Sequence, residues 1–277
     1  MHLIIGTLVG RWYVTAFGLA FLYYGWNLLG ARKILIYSVG SVAVAALAEN
    51  ASVHWGIPYT QYAFNESLRS SELWLFDVPL MVPLSYSFVM FFAFAAARLV
   101  ASGPWRTVPH SPSAALGLAI VFATWSTWSL DPVSQRGAAW YLGDLFHYAH
   151  PGFWFGLPLL SQVGWLFVSA LLCGGLAHLT RDEKNQPVAS LMQHPLLPCL
   201  ITFAVSTLHV SIVALFIGET TLGGAGLIIW LPVAAVVAVL WPQLRPAAAT
   251  RLSLSPVESR RVAADRDVAA HSSRPAA

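Results

Sequence analysis

The chain has 277 residues, of which 57% are apolar and only 10% are charged. A soluble domain carries about 25% charged residues, so this chain lacks the residues for a water-facing surface. Its net charge of +3 is small, and the part before the C-terminal tail has no basic stripe and no phosphate-binding glycine loop, which argues against nucleic acid as a partner. Cys173 and Cys199 lie in different apolar segments, so neither a disulfide framework nor a zinc site is indicated.

Seven apolar segments are long enough to cross a bilayer, which takes roughly 20 helical residues. In chain order they are Val9–Leu29, Ile34–Ala51, Leu73–Ala97, Ser113–Leu130, Pro158–Ala177, Leu196–Ile217 and Thr221–Trp241. The first has no basic stretch and cleavage site before it, so we interpret it as a retained span. We therefore predict an all-α, polytopic membrane helix bundle over residues 1–241. Residues 242–277, rich in Arg, Ala, Ser and Pro, are predicted to form a disordered cytoplasmic tail.

The distribution of basic residues predicts the orientation, because cytoplasmic loops are enriched in lysine and arginine. With seven spans, twelve of the fifteen basic residues fall on one side of the membrane, six of them in the tail. Only Arg11, Arg69 and Arg136 fall on the other side. This pattern predicts an outside N-terminus and a cytoplasmic C-terminus.

Acidic side chains are costly inside a membrane, so their positions are the best clue to function. Four of them lie at the ends of predicted spans, all on the outer side: Glu49, Asp77, Asp131 and Glu219. The apolar residues around the first three favour functional burial. Glu219 fits a solvated helix end equally well.

Two predicted outer loops, residues 53–64 and 131–156, are rich in aromatic residues and histidine. Such loops can fold back and close one end of a helix bundle, although tyrosine and tryptophan also suit the membrane interface without any catalytic role. His147 and His150 are spaced for a metal on a helix, but no clear set of partner ligands accompanies them. His209, in the middle of the sixth span, is more typical of a hydrogen-bonded structural residue than of a proton carrier.

A set of short motifs runs in order through roughly residues 45 to 170. They are Glu49, Gly56-Ile57-Pro58-Tyr59, Tyr62, Phe64, Val78–Leu84, Leu130-Asp131-Pro132, Trp140, Gly156-Leu157-Pro158-Leu159 and Gly164-Trp165. Their order and spacing resemble the membrane family of carotenoid biosynthesis, which includes carotenoid 1,2-hydratases and bisanhydrobacterioruberin hydratases. Two positions depart from that family: Thr127 stands where an aspartate is usual, and Ser161 where an asparagine is usual.

The resemblance implies hydration of a terminal double bond of a carotenoid or related polyene, without a cofactor or metal. The alkene must be protonated to a tertiary carbocation, and a carboxylic acid among apolar groups keeps the proton that this step needs. A second carboxylate would accept a proton from water, and aromatic faces would stabilise the cation. We predict that Glu49, Asp77 and Asp131 supply the acid and base. The predicted lining residues are Tyr59, Tyr62, Trp140 and Trp165.

Two alternatives fit the same residues. If an internal double bond attacks the cation, the protein is a membrane terpene cyclase or isomerase, and the polar groups missing at Thr127 and Ser161 favour that outcome. A non-catalytic isoprenoid-binding protein would keep the fold without turnover. In each case the expected partners are a lipophilic isoprenoid from the bilayer, membrane lipids and other enzymes of the isoprenoid pathway. The expected location is the cell membrane of a bacterium or archaeon.

Overall fold

Eight α-helices make up most of the part of the chain that the computed structural model describes, residues 1–102, 112–182, 194–231 and 234. They are α1 (His2–Gly10), α2 (Trp12–Leu29), α3 (Ala31–Trp55), α4 (Met81–Ser102), α5 (Pro112–Ser134), α6 (Leu159–Leu179), α7 (Leu197–Phe216) and α8 (Thr220–Ile228). Between them lie two 3-10 helices, Glu66–Ser70 and Gly137–Ala139, and four short strands, β1 (Tyr62–Phe64), β2 (Trp74–Leu75), β3 (Val78–Pro79) and β4 (Phe146–Tyr148). The prediction of an all-α membrane bundle is confirmed.

Five helices, α3 to α7, are each long and apolar enough to cross a membrane. The first predicted span consists of two helices, because α1 and α2 meet at Arg11 and are bent by 79°. The described residues thus contain five spans, or six if this pair counts as one. The seventh predicted span begins with α8 and continues outside the described residues, where the predicted tail over 242–277 also lies. The orientation in the membrane stays a prediction.

The third helix of the predicted bundle begins later than the sequence suggested. Instead of a helix from Leu73, β2 pairs antiparallel with β3 and α4 starts at Met81. The proline of β3 explains the difference, because a proline holds the residue before it in an extended conformation. Pro83 is tolerated in the first turn of α4, where a missing N–H costs no helical hydrogen bond. Asp77 consequently lies in a hairpin turn and not at the start of a span.

Helix α4 lies at the centre of the bundle and contacts α2, α3, α5, α6 and α7. The face that α3 buries follows helical spacing: Tyr37, Ser41, Ala45, Glu49 and Ser52. Its small residues allow a close approach to α4, and the hydroxyl oxygens of Ser41 and Ser87 are 2.7 Å apart. Glu49 lies on this same face and therefore points into the bundle.

Helix α5 continues through an internal proline, Pro132. A proline has no N–H, so the carbonyl of Trp128 loses its usual helical partner. The indole N–H of Trp154 replaces it, donating to that carbonyl at 2.9 Å. This bond keeps Asp131 on a continuous helix and attaches the loop that follows α5 to the helix end.

The two aromatic loops pair with each other. β1 runs antiparallel to β4, with Tyr62 opposite Tyr148 and Phe64 opposite Phe146. Beside the ladder, the amide nitrogen of Asn65 donates to a carboxylate oxygen of Asp144 at 3.1 Å. The loops thereby form a joint cover over the end of the bundle that carries Glu49 and Asp131.

Helix α6 passes very close to the loop that follows α3. A Cβ added at Gly164 would lie 2.6 Å from the carbonyl oxygen of Pro58 and 2.6 Å from Cδ1 of Tyr59. We expect Gly164→Ala to lower the free energy of unfolding by about 1–3 kcal/mol, because the loop must shift to make room. Thermal unfolding of the purified protein in detergent measures the effect.

Gly174 of the same helix provides the control, since a Cβ there meets no described atom within 4 Å. Gly174→Ala is expected to leave the melting temperature unchanged or slightly higher, as alanine favours a helix over glycine. Equal losses in the two variants would show that the close approach at Gly164 is unimportant.

Candidate active site

A cavity of about 220 Å³ is lined by residues of the helix bundle and of the aromatic loops. Five of the seven site residues predicted from the sequence line it: Glu49, Tyr59, Tyr62, Asp131 and Trp165. Much of the remaining wall is apolar and includes Val14, Phe17, Val82, Phe88, Val89 and Phe92. The cavity therefore suits a lipophilic ligand that meets carboxyl groups on the cavity wall.

Glu49 is a buried carboxyl group, with only 5% of the residue exposed. Each of its oxygens accepts a hydrogen bond from a tyrosine hydroxyl: Oε2 from Tyr62 of β1, and Oε1 from Tyr86 of α4. A buried charge is tolerated only when it is hydrogen-bonded, and these two donors meet that requirement. Both oxygens of Glu49 are thus occupied.

Asp131 is the second buried carboxyl group, with 6% of the residue exposed. Its Oδ2 accepts hydrogen bonds from the Trp165 indole N–H at 3.0 Å and from the Tyr148 hydroxyl at 3.4 Å. The Tyr148 oxygen also lies 3.2 Å from the hydroxyl oxygen of Ser161. The other oxygen, Oδ1, accepts no hydrogen bond within the described part of the chain.

Aromatic rings connect the two carboxyl groups. Trp165, which donates to Asp131, stacks on Tyr86, which donates to Glu49; their ring centroids are 4.9 Å apart and their planes differ by 8°. The ring of Tyr59 lies 5.4 Å from that of Trp165. These faces border the same cavity and can stabilise a positive charge through cation–π attraction.

The loop tyrosines stay protonated at neutral pH. Burial, and then the negative charge of Glu49, raise the pKa of Tyr59 and Tyr62 well above the usual value. Burial and then Asp131 likewise raise the pKa of Tyr148. Tyr62 and Tyr148 therefore act as hydrogen-bond donors to the carboxyl groups and not as bases.

Two predicted site residues do not join this group. Asp77 is 42% exposed at its side chain and pairs with Arg69 Nη2 at 2.6 Å and with His54 Nε2 at 3.0 Å. The hydrogen bond from Arg69, followed by that from His54, lowers the pKa of Asp77, so the group is ionised at neutral pH. Trp140 is buried, but it lies in a separate apolar cluster with Val133.

The remaining polar residues singled out in the sequence pair with other partners. Arg136 Nε lies 2.9 Å from a carboxylate oxygen of Glu219, and His147 Nε2 lies 2.6 Å from one of Asp144. His209 Nε2 is 2.5 Å from the hydroxyl oxygen of Tyr141, which borders the same cavity. Over the described ranges, no group of three or more His, Cys, Asp or Glu is arranged to hold a metal.

The two positions that depart from the family pattern remain polar and belong to the site. Thr127 lines the cavity one turn before Asp131, and its hydroxyl donates to Oε1 of Gln162 at 3.0 Å. Ser161 contacts Tyr148, which donates to Asp131. The site therefore keeps hydroxyl groups where the family usually has an acid and an amide.

Sequence reasoning did not single out Tyr86, or the buried ion pair of Arg11 and Glu72. The side chains of this pair are each 7% exposed, both residues line the cavity, and Arg11 Nη2 lies 2.8 Å from Glu72 Oε1. For Tyr86 the available signal was a tyrosine inside an otherwise apolar span, which must bury a hydroxyl or expose it to lipid. Nothing comparable in the sequence predicts that Arg11 pairs with Glu72.

A family model described as a carotenoid biosynthesis protein matches residues 9–240 of the chain. The match includes every residue that lines the cavity. No curated protein and no solved structure matches the chain.

Proposed function

Because the chain belongs to the carotenoid biosynthesis protein family, we propose that it is a membrane enzyme that hydrates a terminal C=C bond of a carotenoid or related polyene by acid catalysis. The observation that carries this proposal is the pair of buried carboxyl groups, Glu49 and Asp131, on the wall of one largely apolar cavity. The substrate would enter from the bilayer, because a polyene dissolves in lipid and the cavity is lined mainly by apolar side chains.

The reaction needs a proton donor, a stabilised cation and a placed water molecule. One carboxyl group protonates the less substituted alkene carbon and leaves a tertiary carbocation on its neighbour. The rings of Tyr59, Tyr86 and Trp165 would face that cation. Water then bonds to the cation, and the second carboxylate takes the proton that the water releases. The overall change adds H and OH and involves no oxidation or reduction.

Hydration is favoured over cyclisation by the hydroxyl groups on the cavity wall. They belong to Ser126, Thr127, Ser134, Ser206 and Thr207. A cyclase excludes water from its cation. These hydroxyl groups donate to backbone carbonyls of their own helices, and their oxygens can still accept hydrogen bonds from water inside the cavity. In the sequence, Thr127 and Ser161 favoured a cyclase because they replace an acid and an amide. Their hydroxyl groups weaken that argument, since both can still form hydrogen bonds in the site.

Product analysis tests the proposal. The protein is expressed in cells that make lycopene, and separately in cells supplied with shorter prenyl precursors, and the lipid extracts are analysed by mass spectrometry. A product heavier than lycopene by one water is expected. An isomeric product would show that the same carbocation ends in cyclisation. Membrane-integrated protein that yields no product from either pool would contradict an enzymatic role on these substrates.

A further inference from the structure

The two carboxyl groups are hydrogen-bonded in different ways. Glu49 receives one hydroxyl donor on each oxygen, from Tyr62 and Tyr86. If Glu49 carried a proton, one of these tyrosine hydroxyls would have to turn from donor to acceptor, and that donor would be lost. The arrangement therefore fits an ionised Glu49, whose negative charge is shared between two charge-assisted hydrogen bonds.

Asp131 shows the opposite arrangement. Both of its donors, Trp165 and Tyr148, donate to the same oxygen, Oδ2, while Oδ1 has no hydrogen-bond partner among the described residues. A neutral carboxylic acid accepts through its carbonyl oxygen and carries its proton on the other oxygen. Because Asp131 lines the cavity, a proton on Oδ1 is the one available to a ligand there.

The low-dielectric surroundings strengthen this difference. Glu72, the third carboxyl group on the cavity wall, is paired with Arg11, whereas Glu49 and Asp131 have no cation beside them among the described residues. Two such carboxylates repel each other, so a single proton shared between them lowers the energy of the site. The positions of the donors favour one placement of that proton: a proton on Oδ1 of Asp131 disturbs none of the four hydrogen bonds, whereas a proton on Glu49 would displace one of its two donors.

We propose that Asp131 is the proton donor of the reaction and that Glu49 is the carboxylate that stabilises the cation and accepts the proton from water. This assignment rests on the proposed function. The Asp131 O–H bond breaks as the π electrons of the alkene form a C–H bond. Water bonds to the tertiary cation, and one of its O–H bonds breaks as the proton passes to Glu49. Return of that proton from Glu49 to Asp131 restores the site. Tyr62 and Tyr86 are positioning residues for Glu49, as Trp165 and Tyr148 are for Asp131.

Deuterium exchange separates the two roles. Membranes containing each variant are incubated with lycopene in D₂O, and the recovered substrate and product are analysed by mass spectrometry. Glu49→Gln is expected to lower the hydrated product by about 100-fold or more, yet to place deuterium on the less substituted alkene carbon of recovered lycopene, because protonation of that carbon and its reversal exchange a proton with Asp131 only. Asp131→Asn is expected to give neither product nor deuterium. Exchange in Asp131→Asn, with none in Glu49→Gln, would overturn the assignment.

Infrared spectroscopy tests the assignment without turnover. The C=O stretching band of a protonated, buried carboxyl group is expected at neutral pH in the unmodified protein and in Glu49→Gln, and should be lost in Asp131→Asn. Trp165→Phe keeps both acids but removes a donor to the carbonyl oxygen of Asp131, so the band should shift to higher frequency. Tyr62→Phe should leave its position unchanged.

A band that disappears in Glu49→Gln, or that shifts with Tyr62→Phe and not with Trp165→Phe, would reverse the two roles. Lack of activity in the unmodified protein, with the expected infrared pattern intact, would contradict the proposed reaction and leave the protonation states standing. The two failures are therefore distinguishable.

Discussion

Replacing Asp131 with asparagine is expected to reduce formation of the hydrated product by about 10²-fold to 10⁴-fold, the range that general acid catalysis contributes. Asparagine has nearly the same size and can still accept the indole hydrogen bond from Trp165, so the fold should be kept. It has no acidic proton to deliver to an alkene. The measurement is hydrated product per amount of membrane-integrated protein, quantified by mass spectrometry of lipid extracts.

Asp77→Asn is the matched control for this variant. The sequence pattern placed the two aspartates in the same candidate set, but Asp77 is half-exposed and paired with Arg69 and His54. Because it is ionised and outside the cavity wall, its replacement is expected to leave product formation near the unmodified level. Loss of product in Asp77→Asn, with activity retained in Asp131→Asn, would show that Asp77, in the turn between β2 and β3, is the catalytic acid instead of Asp131.

The sequence predicted the bundle and two of its buried acids, Glu49 and Asp131, because both predictions depend on local composition. An apolar run of about 20 residues indicates a membrane helix whichever other helices it packs against. Glu49 and Asp131 stand within or at the end of such runs, so their burial could be expected before the packing was known. Tyr62 and Trp165 are themselves members of the motifs that resemble the family and were predicted from them.

Residues whose partners lie far away in the chain could not be placed in this way. Tyr86 donates to an acid 37 residues earlier, and the contact exists only because α3 packs on α4. Asp77 was predicted to be buried because the apolar residues around it resemble the start of a span. Its turn position follows from the hairpin of β2 and β3, which brings it within reach of Arg69.

The sequence did not indicate that Arg11 is buried. It counted among the three basic residues on the predicted outer side, and it is buried and paired with Glu72, 61 residues further along the chain. Its Nη1 also donates to the carbonyl of Leu142 at 2.5 Å. One side chain thus joins the break between α1 and α2 to the α3–α4 and α5–α6 connections. These connections carry β1 and β4, and Tyr62 of β1 contacts Glu49.

Arg11→Met is therefore expected to lower the free energy of unfolding by about 3–5 kcal/mol, the cost of leaving one partner of a buried ion pair uncompensated. Methionine fills much of the same space but donates no hydrogen bond, so the Glu72 carboxylate stays buried without its cation. Chemical unfolding in detergent micelles, followed by tryptophan fluorescence, measures the loss.

The double variant Arg11→Met/Glu72→Leu identifies the cause of that loss. Replacing both partners of a buried ion pair with apolar residues is often neutral or stabilising, so the double variant is expected to regain most of the stability that Arg11→Met loses. Equal instability of the single and double variants would assign the loss to the bonds of Arg11 with Leu142 and Tyr13. Recovery would instead show that the loss comes from the buried Glu72 carboxylate left without its cation.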